Sequence, residues 1–190
     1  MIRLRPLERE DLRQLRDWRN DPEIFSRVRE YRPLNMDNQE AWFDSLRDDR
    51  KTIMFGVEFE VSDDPNSWAF VKSGVTPFLL IGVCGLTNID WTSHKAEVSI
   101  YIGDKDLRGK GLGVVILNLL AKYAFEECNL NRLWAEVFLN NEIGQKLFKS
   151  AGYQEEGRLR DHAFKGGEYW SSFIYGLLRE EWQKKNAHVA

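Results

Sequence analysis

Leu107-Arg108-Gly109-Lys110-Gly111-Leu112-Gly113 is a glycine-rich turn that opens directly onto an apolar-periodic segment. Leu112, Val115, Ile116, Leu119, Leu120 and Tyr123 recur at helical spacing, which predicts a helix starting at or just after the glycines with that stripe packed inward. The first N–H groups of such a helix have no intrahelical acceptor and carry about half a positive charge from the summed peptide dipoles. Glycine lets main chain approach an anion without a side chain in the way. The stretch therefore predicts a cradle for a pyrophosphate. Two common phosphate loops are excluded by spacing. A P-loop needs Ser or Thr where Gly111 follows Gly109-Lys110, and G-x-G-x-x-G fails because the third glycine position falls on Val114 or Ile116.

Upstream of that turn, Ile2-Arg3-Leu4 reads as a short strand and Asp11 to Asn20 as a helix with Leu12, Leu15 and Trp18 on one face. Asp21-Pro22 starts a second short helix, and Asn35 or Asp37 can cap a third in which Trp42 and Leu46 share a face. Three β-patterned segments follow: Thr52 to Glu60 with alternating Ile53, Phe55, Val57 and Phe59, then Phe78 to Leu86 and Glu97 to Ile102. After the glycine helix come a strand over Arg132 to Phe138, a helix from about Asn141 ended by Gly152, and strands over Tyr153 to Gly157 and Tyr169 to Leu178. The expected fold is α/β, a mixed and mostly antiparallel sheet flanked by helices in the order β-ααα-βββ-α-β-α-ββ. Val61 to Pro77 is rich in turn residues but carries Trp68 and Phe70.

A length of 190 residues with 43% hydrophobic content is enough to bury one real core, so one domain over 1–190 is expected. No stretch of eighteen apolar residues and no signal-peptide pattern occurs, so no membrane association is expected and the cytoplasm is the default compartment. Cys84 and Cys128 lie in apolar surroundings without C-x-x-C spacing, which favours buried thiols over a disulfide or metal site. A net charge of −3 argues against broad nucleic-acid binding, and His94, His162 and His188 form no helix-spaced pair, so no metal is expected.

R-x-x-G-x-G over Arg108 to Gly113 resembles the coenzyme A pyrophosphate loop of the GNAT superfamily of N-acetyltransferases. Ala96-Glu97-Val98-Ser99-Ile100-Tyr101-Ile102-Gly103 is similar to that family's fourth strand, and Asn140-Asn141 with Leu147 to Tyr153 is similar to its Asn-led helix. Glu156 to His162 and Leu177 to Trp182 resemble the branch containing ribosomal-protein N-terminal and sugar-nucleotide amine acetyltransferases. The resemblance covers nearly the whole chain and implies transfer of acetyl from acetyl-CoA to a primary amine. It also implies that the fourth and fifth strands diverge to admit the pantetheine arm. Arg108, Gly109, Lys110, Gly111, Leu112 and Gly113 would then hold the pyrophosphate, and the backbone of Ile100, Tyr101 and Ile102 would bind the thioester end. Asn141 has two readings, helix cap or partner of the pantetheine arm.

An alkylamine with a pKa of about 10.4 is mostly protonated at neutral pH, so the reaction needs a base. Glu97 is the expected base, and the alternative is a strand glutamate paired to Lys95 or an arginine. The resemblance puts a thiolate-protonating tyrosine at the position of Phe148, so Tyr153 is the expected donor, with Tyr101 or water as substitutes. The family places the acceptor against the N-terminal helices. Here Arg13, Arg16, Arg19, Arg27, Arg29 and Arg32 crowd a region holding Trp18, Tyr31 and Trp42. Trp18, Arg19, Asn20 and Arg27 are therefore expected to bind an amino-sugar nucleotide. The intermixed acidic residues allow a solvated face instead. Spermidine-type acceptors are less favoured because a polycation needs an acidic pocket. A ribosomal-protein-like N-terminal acetyltransferase, a non-catalytic acyl-CoA-binding module and assembly as a homodimer stay open.

Overall fold

A parallel pairing in an otherwise antiparallel sheet sets the architecture. In the computed structural model, which describes residues 1–61 and 77–187, β1 (Ile2–Pro6), β2 (Ile53–Glu60), β3 (Phe78–Asp90) and β4 (Lys95–Ile102) form an antiparallel meander. β5 (Arg132–Phe138) joins β4 in parallel, and β6 (Gln154–Lys165) and β7 (Glu168–Leu178) complete a seven-stranded sheet of order β1-β2-β3-β4-β5-β7-β6. The parallel step needs a crossover, and the helix after the glycine turn supplies it. Trp68, Phe70 and His188 lie outside the described residues.

Six helices flank the sheet among the described residues: α1 (Leu12–Asn20), α2 (Pro22–Phe25), α3 (Met36–Ser45), α4 (Leu112–Lys122), α5 (Glu142–Ala151) and α6 (Arg179–Asn186). On one face Ile81, Cys84, Leu86, Ala96 and Val98 pack with Ile116, Leu117 and Leu120 of α4 and Phe148 of α5. On the other, Leu80 and Val83 pack with Leu12 and Leu15 of α1, joined by Trp18, Trp42 and Tyr101. Ile116 and Leu120 are both fully buried, each stabilising the fold by about 1.5–3 kcal/mol.

The observed order is the expected one with α6 added, a short polar helix whose one buried residue is Trp182. One apolar contact leaves no helical period to read. The inward stripe of α4 is rotated from its expected position: Gly113, Ile116, Leu117, Leu120 and Ala121 are buried, whereas Val115 is 45% exposed. Small residues let α4 approach the sheet and α5 closely, an option that weighting only large apolar side chains misses. α4 continues into a π-helical turn over Tyr123–Glu127, closed by Cys128 N–H donating to Tyr123 O at 3.1 Å. Cys84 is a free thiol that burial pushes up to about 12, and Cys128 is half-buried and free.

Candidate active site

β4 and β5 are register-paired from Lys95↔Arg132 to Glu97↔Trp134 and then part. Beyond that point Ile100, Tyr101 and Ile102 form one wall of a groove of about 570 Å³, with Asn141, Gly144 and Leu147 opposite and Gly111 to Val114 at its end. The divergence implied by the family resemblance is present. Gly109 and Gly111 have φ of +74° and +77°, in the left-handed region that favours glycine. Gly113 is different. A Cβ there would come within 2.8 Å of Leu147 Cδ1, so this glycine serves the packing of α4 on α5.

Gly111 is the N-cap of α4 and offers no capping side chain; Val114 N–H donates to Gly111 O at 3.2 Å, which leaves the N–H groups of Leu112 and Gly113 to an external acceptor. Arg108 also lines the groove. Its guanidinium donates to Ile102 O and Gly103 O, both at 2.9 Å, and to Glu23 at 2.5 Å, stapling the turn to the end of β4 and to α2. Lys110 is exposed at the tip of the turn. Asn141 Oδ1 accepts from Gly144 N–H at 3.0 Å as the cap of α5, so a bond to a ligand in the groove falls to Nδ2. Open glycine turn, uncapped helix and apolar walls together fit a pyrophosphate carried on a pantetheine arm.

A second cavity of about 500 Å³ lies between α1, α3 and the sheet and meets the groove at Tyr101, which lines both. Burial pushes the half-buried Tyr101 phenol up, opposed by the nearby Arg19 charge. Of the four residues expected to bind the acceptor, Arg19 lines this cavity, its guanidinium 5.9 Å from the Tyr101 ring centre. Arg27 lines the coenzyme groove instead. Trp18 packs edge-on to Tyr101 at 6.5 Å and so tightly on Gly103 that a Cβ there would fall 1.9 Å from the indole. Its ring is occupied by the core. Asn20 exchanges two bonds with the main chain of Leu34, at 2.7 and 2.8 Å, and so ties α1 to the segment before α3.

Glu97 is 3% exposed and is held by Arg29 and by Asn88 Nδ2 at 2.7 Å. Of the partners considered, the arginine is the one found; Lys95 stands 3.8 Å from Asp90. The same guanidinium lies 3.3 Å from Glu136 Oε2 on β5, which His162 Nε2 approaches to 3.7 Å. Glu136 was missed in the sequence. It stands two residues past Trp134, the register partner of Glu97, but that partnership exists only once β4 and β5 are paired. Tyr153, expected as the proton donor, is 3% exposed in the core against Phe148 and outside the groove lining, and burial pushes its phenol up. Phe148 is likewise core, stacked on Tyr175 with centroids 6.2 Å apart.

An acetyltransferase (GNAT) domain family matches residues 2–154. YdaF of Bacillus subtilis, which carries the name of a ribosomal N-acetyltransferase, is 35% identical over 104 residues, 55% of this chain and 56% of that protein's length. The uncharacterized N-acetyltransferase p20 of Bacillus licheniformis is 27% identical over 181 residues, 95% of this chain and 94% of that one. A crystal structure of spermidine N-acetyltransferase from Vibrio cholerae in complex with CoA and spermine superimposes with a TM-score of 0.82 at 26% identity, covering 95% of this chain and 97% of that one. The split strands, the glycine turn and these matches place the chain in the GNAT acetyltransferase family, whose members transfer acetyl from acetyl-CoA to amines.

Proposed function

We propose that this protein acetylates the primary amine of an amino sugar carried on a nucleotide. Acetyl-CoA supplies an acetyl group activated as a thioester; the amine forms the new N–C bond, and the C–S electron pair leaves on the coenzyme thiolate. The observation that carries the reading is the make-up of the second cavity. Asn38, Thr52, Thr87 and Ser99 offer amide and hydroxyl partners for sugar hydroxyls, and Arg19 and Arg32 offer cations for phosphate. Arg32 is offset by Glu30, whereas among the described residues no carboxylate stands within ion-pair distance of Arg19. On this reading Ile100 to Ile102 main chain binds the thioester, and Tyr101, which lines both cavities and is kept protonated by burial, protonates the leaving thiolate.

A cationic amine is the second reading. It is favoured by the buried Glu97 and Glu136 and by the polyamine bound to the Vibrio cholerae relative. Thiol release measured across nucleotide amino sugars, neutral amino sugars, N-terminal peptides and polyamines tests both. The amino-sugar reading expects the highest kcat/KM for the phosphate-bearing sugar. Preference for spermidine or for a peptide amine overturns it.

A further inference from the structure

The segment joining α2 to α3 runs between the two cavities. Val28 lines the coenzyme groove, Glu30 lines the acceptor cavity, and Arg29 between them reaches the carboxylates of Glu97 and Glu136. Both carboxylate side chains are 4% exposed, while Arg29 is 54% exposed. Two carboxylates buried side by side on neighbouring strands demand a cation. Here that cation comes from a segment without regular structure, held by the end of β6: Lys165 Nζ donates to Val28 O at 2.8 Å and to Glu30 O. Arg29 also leaves part of the pair unused. Glu136 Oε1 is fully buried and has no hydrogen-bond partner among the described residues, a costly arrangement for a carboxylate oxygen.

We propose that Glu97 and Glu136 form the seat of the acceptor's ammonium group, and that Arg29 is an internal stand-in that the acceptor displaces. This rests on the reading of the protein as an acetyltransferase for primary amines. An ammonium has three donors. Displacing the guanidinium frees Glu97 Oε1 and Glu136 Oε2, and with the unpartnered Glu136 Oε1 these make three acceptors where β4 and β5 part. Asn88 stays on Glu97 Oε2, and His162 borders the seat from β6. One ammonium proton first passes to the carboxylate pair and frees the nitrogen lone pair; the neutral amine then forms the N–C bond, the C–S electrons leave on the thiolate, and the second proton lost by the nitrogen goes to that thiolate. Moving Arg29 also shifts the wall between the two cavities, so the acceptor's amine reaches the thioester only when it replaces the arginine.

n-Propylamine is the probe, because its readout does not depend on sugar or nucleotide. Arg29→Gln is expected to lower the KM for propylamine at least threefold, and Glu136→Gln to raise it at least fivefold, both with coenzyme affinity unchanged by calorimetry. A KM that is unchanged or raised in Arg29→Gln overturns the proposal, since a purely structural arginine gives that result. In the wild-type protein, saturating propylammonium is expected to speed hydrogen exchange over residues 26–33 relative to sodium chloride at equal ionic strength. Unchanged exchange overturns the displacement even if a variant fails to fold. If no amine is acetylated, the functional reading fails, while the exchange measurement still decides the seat.

Discussion

Gly111, at φ +77°, is strained for any residue with a Cβ, and most for a β-branched one, although a Cβ there would touch nothing within 4 Å. The cost of replacing it is therefore in the backbone and falls on the N–H groups that the turn directs. Gly111→Val should weaken coenzyme A binding at least tenfold by calorimetry while the protein stays folded; unchanged affinity in a folded variant means the turn does not bind the pyrophosphate. Glu97→Gln keeps the shape and the Asn88 contact but removes the base. It should lower kcat at neutral pH by about a hundredfold or more, with the deficit shrinking as pH nears the amine's own pKa of about 10.4. Undiminished turnover at pH 7 would assign the proton to another acceptor. Tyr101→Phe removes the one phenol that lines both cavities. We expect a slower kcat with an unchanged coenzyme Kd, and full activity would leave thiolate protonation to water. At this scale the glycine turn and the Asn141 cap were legible because their conformations are tied to residue type. Glu136 and Arg29 were not, because an ordinary strand glutamate and loop arginine gain meaning only from what they face.

Among the elements, β1, β2 and the short helical turn at Arg9–Asp11 are joined by one network of charges. Glu58 accepts from Arg3 Nε at 2.6 Å and Arg5 Nε at 2.7 Å, and Arg5 grips Asp11 at 2.6 and 2.8 Å. Burial pushes the Glu58 carboxyl up, but the bonds from Arg5 and Arg3 outweigh it and hold the carboxyl below its ordinary range. A folded value below the unfolded one gives stability that is full above the unfolded carboxylate range, about 4.3, and is lost as pH falls through the lower folded value. Glu58→Gln should cost about 2 kcal/mol at neutral pH and flatten the acid limb of the stability curve, read by urea unfolding across pH. An unchanged acid limb would show that other carboxylates govern it. Element boundaries were legible where a cap or period marked them: Asn141 begins α5 and Gly152, at φ +99°, ends it. β6 runs on to Lys165, past its expected end at Gly157, because the hairpin turns at Gly166-Gly167, both with positive φ.

Across the whole molecule, two cavities meet at Tyr101, on the stretch of β4 beyond its pairing with β5. Arg19 lines the second of these, the cavity we propose for the acceptor. Arg19→Ala should raise the KM for a nucleotide amino sugar at least severalfold, with little change in Tm or coenzyme affinity. Added salt should reproduce part of that loss by screening. A KM insensitive to both would make the arginine a solvated cation near the end of α1. The sequence by itself determined the element order up to β7 and the glycine turn, because helical period, glycine and capping residues act over a few neighbouring positions, while the acetyl-transfer chemistry was legible only through the motifs' resemblance to a known family. Only the tertiary structure decided which arginines face which cavity, that Arg108 staples the glycine turn to β4 and α2, and that Glu97 shares Arg29 with Glu136. The Arg29–Glu97, Arg108–Glu23 and Arg29–Glu136 contacts join residues 68, 85 and 107 positions apart, and side-chain pairing over such distances is set by strand register and helix docking, which local pattern does not encode.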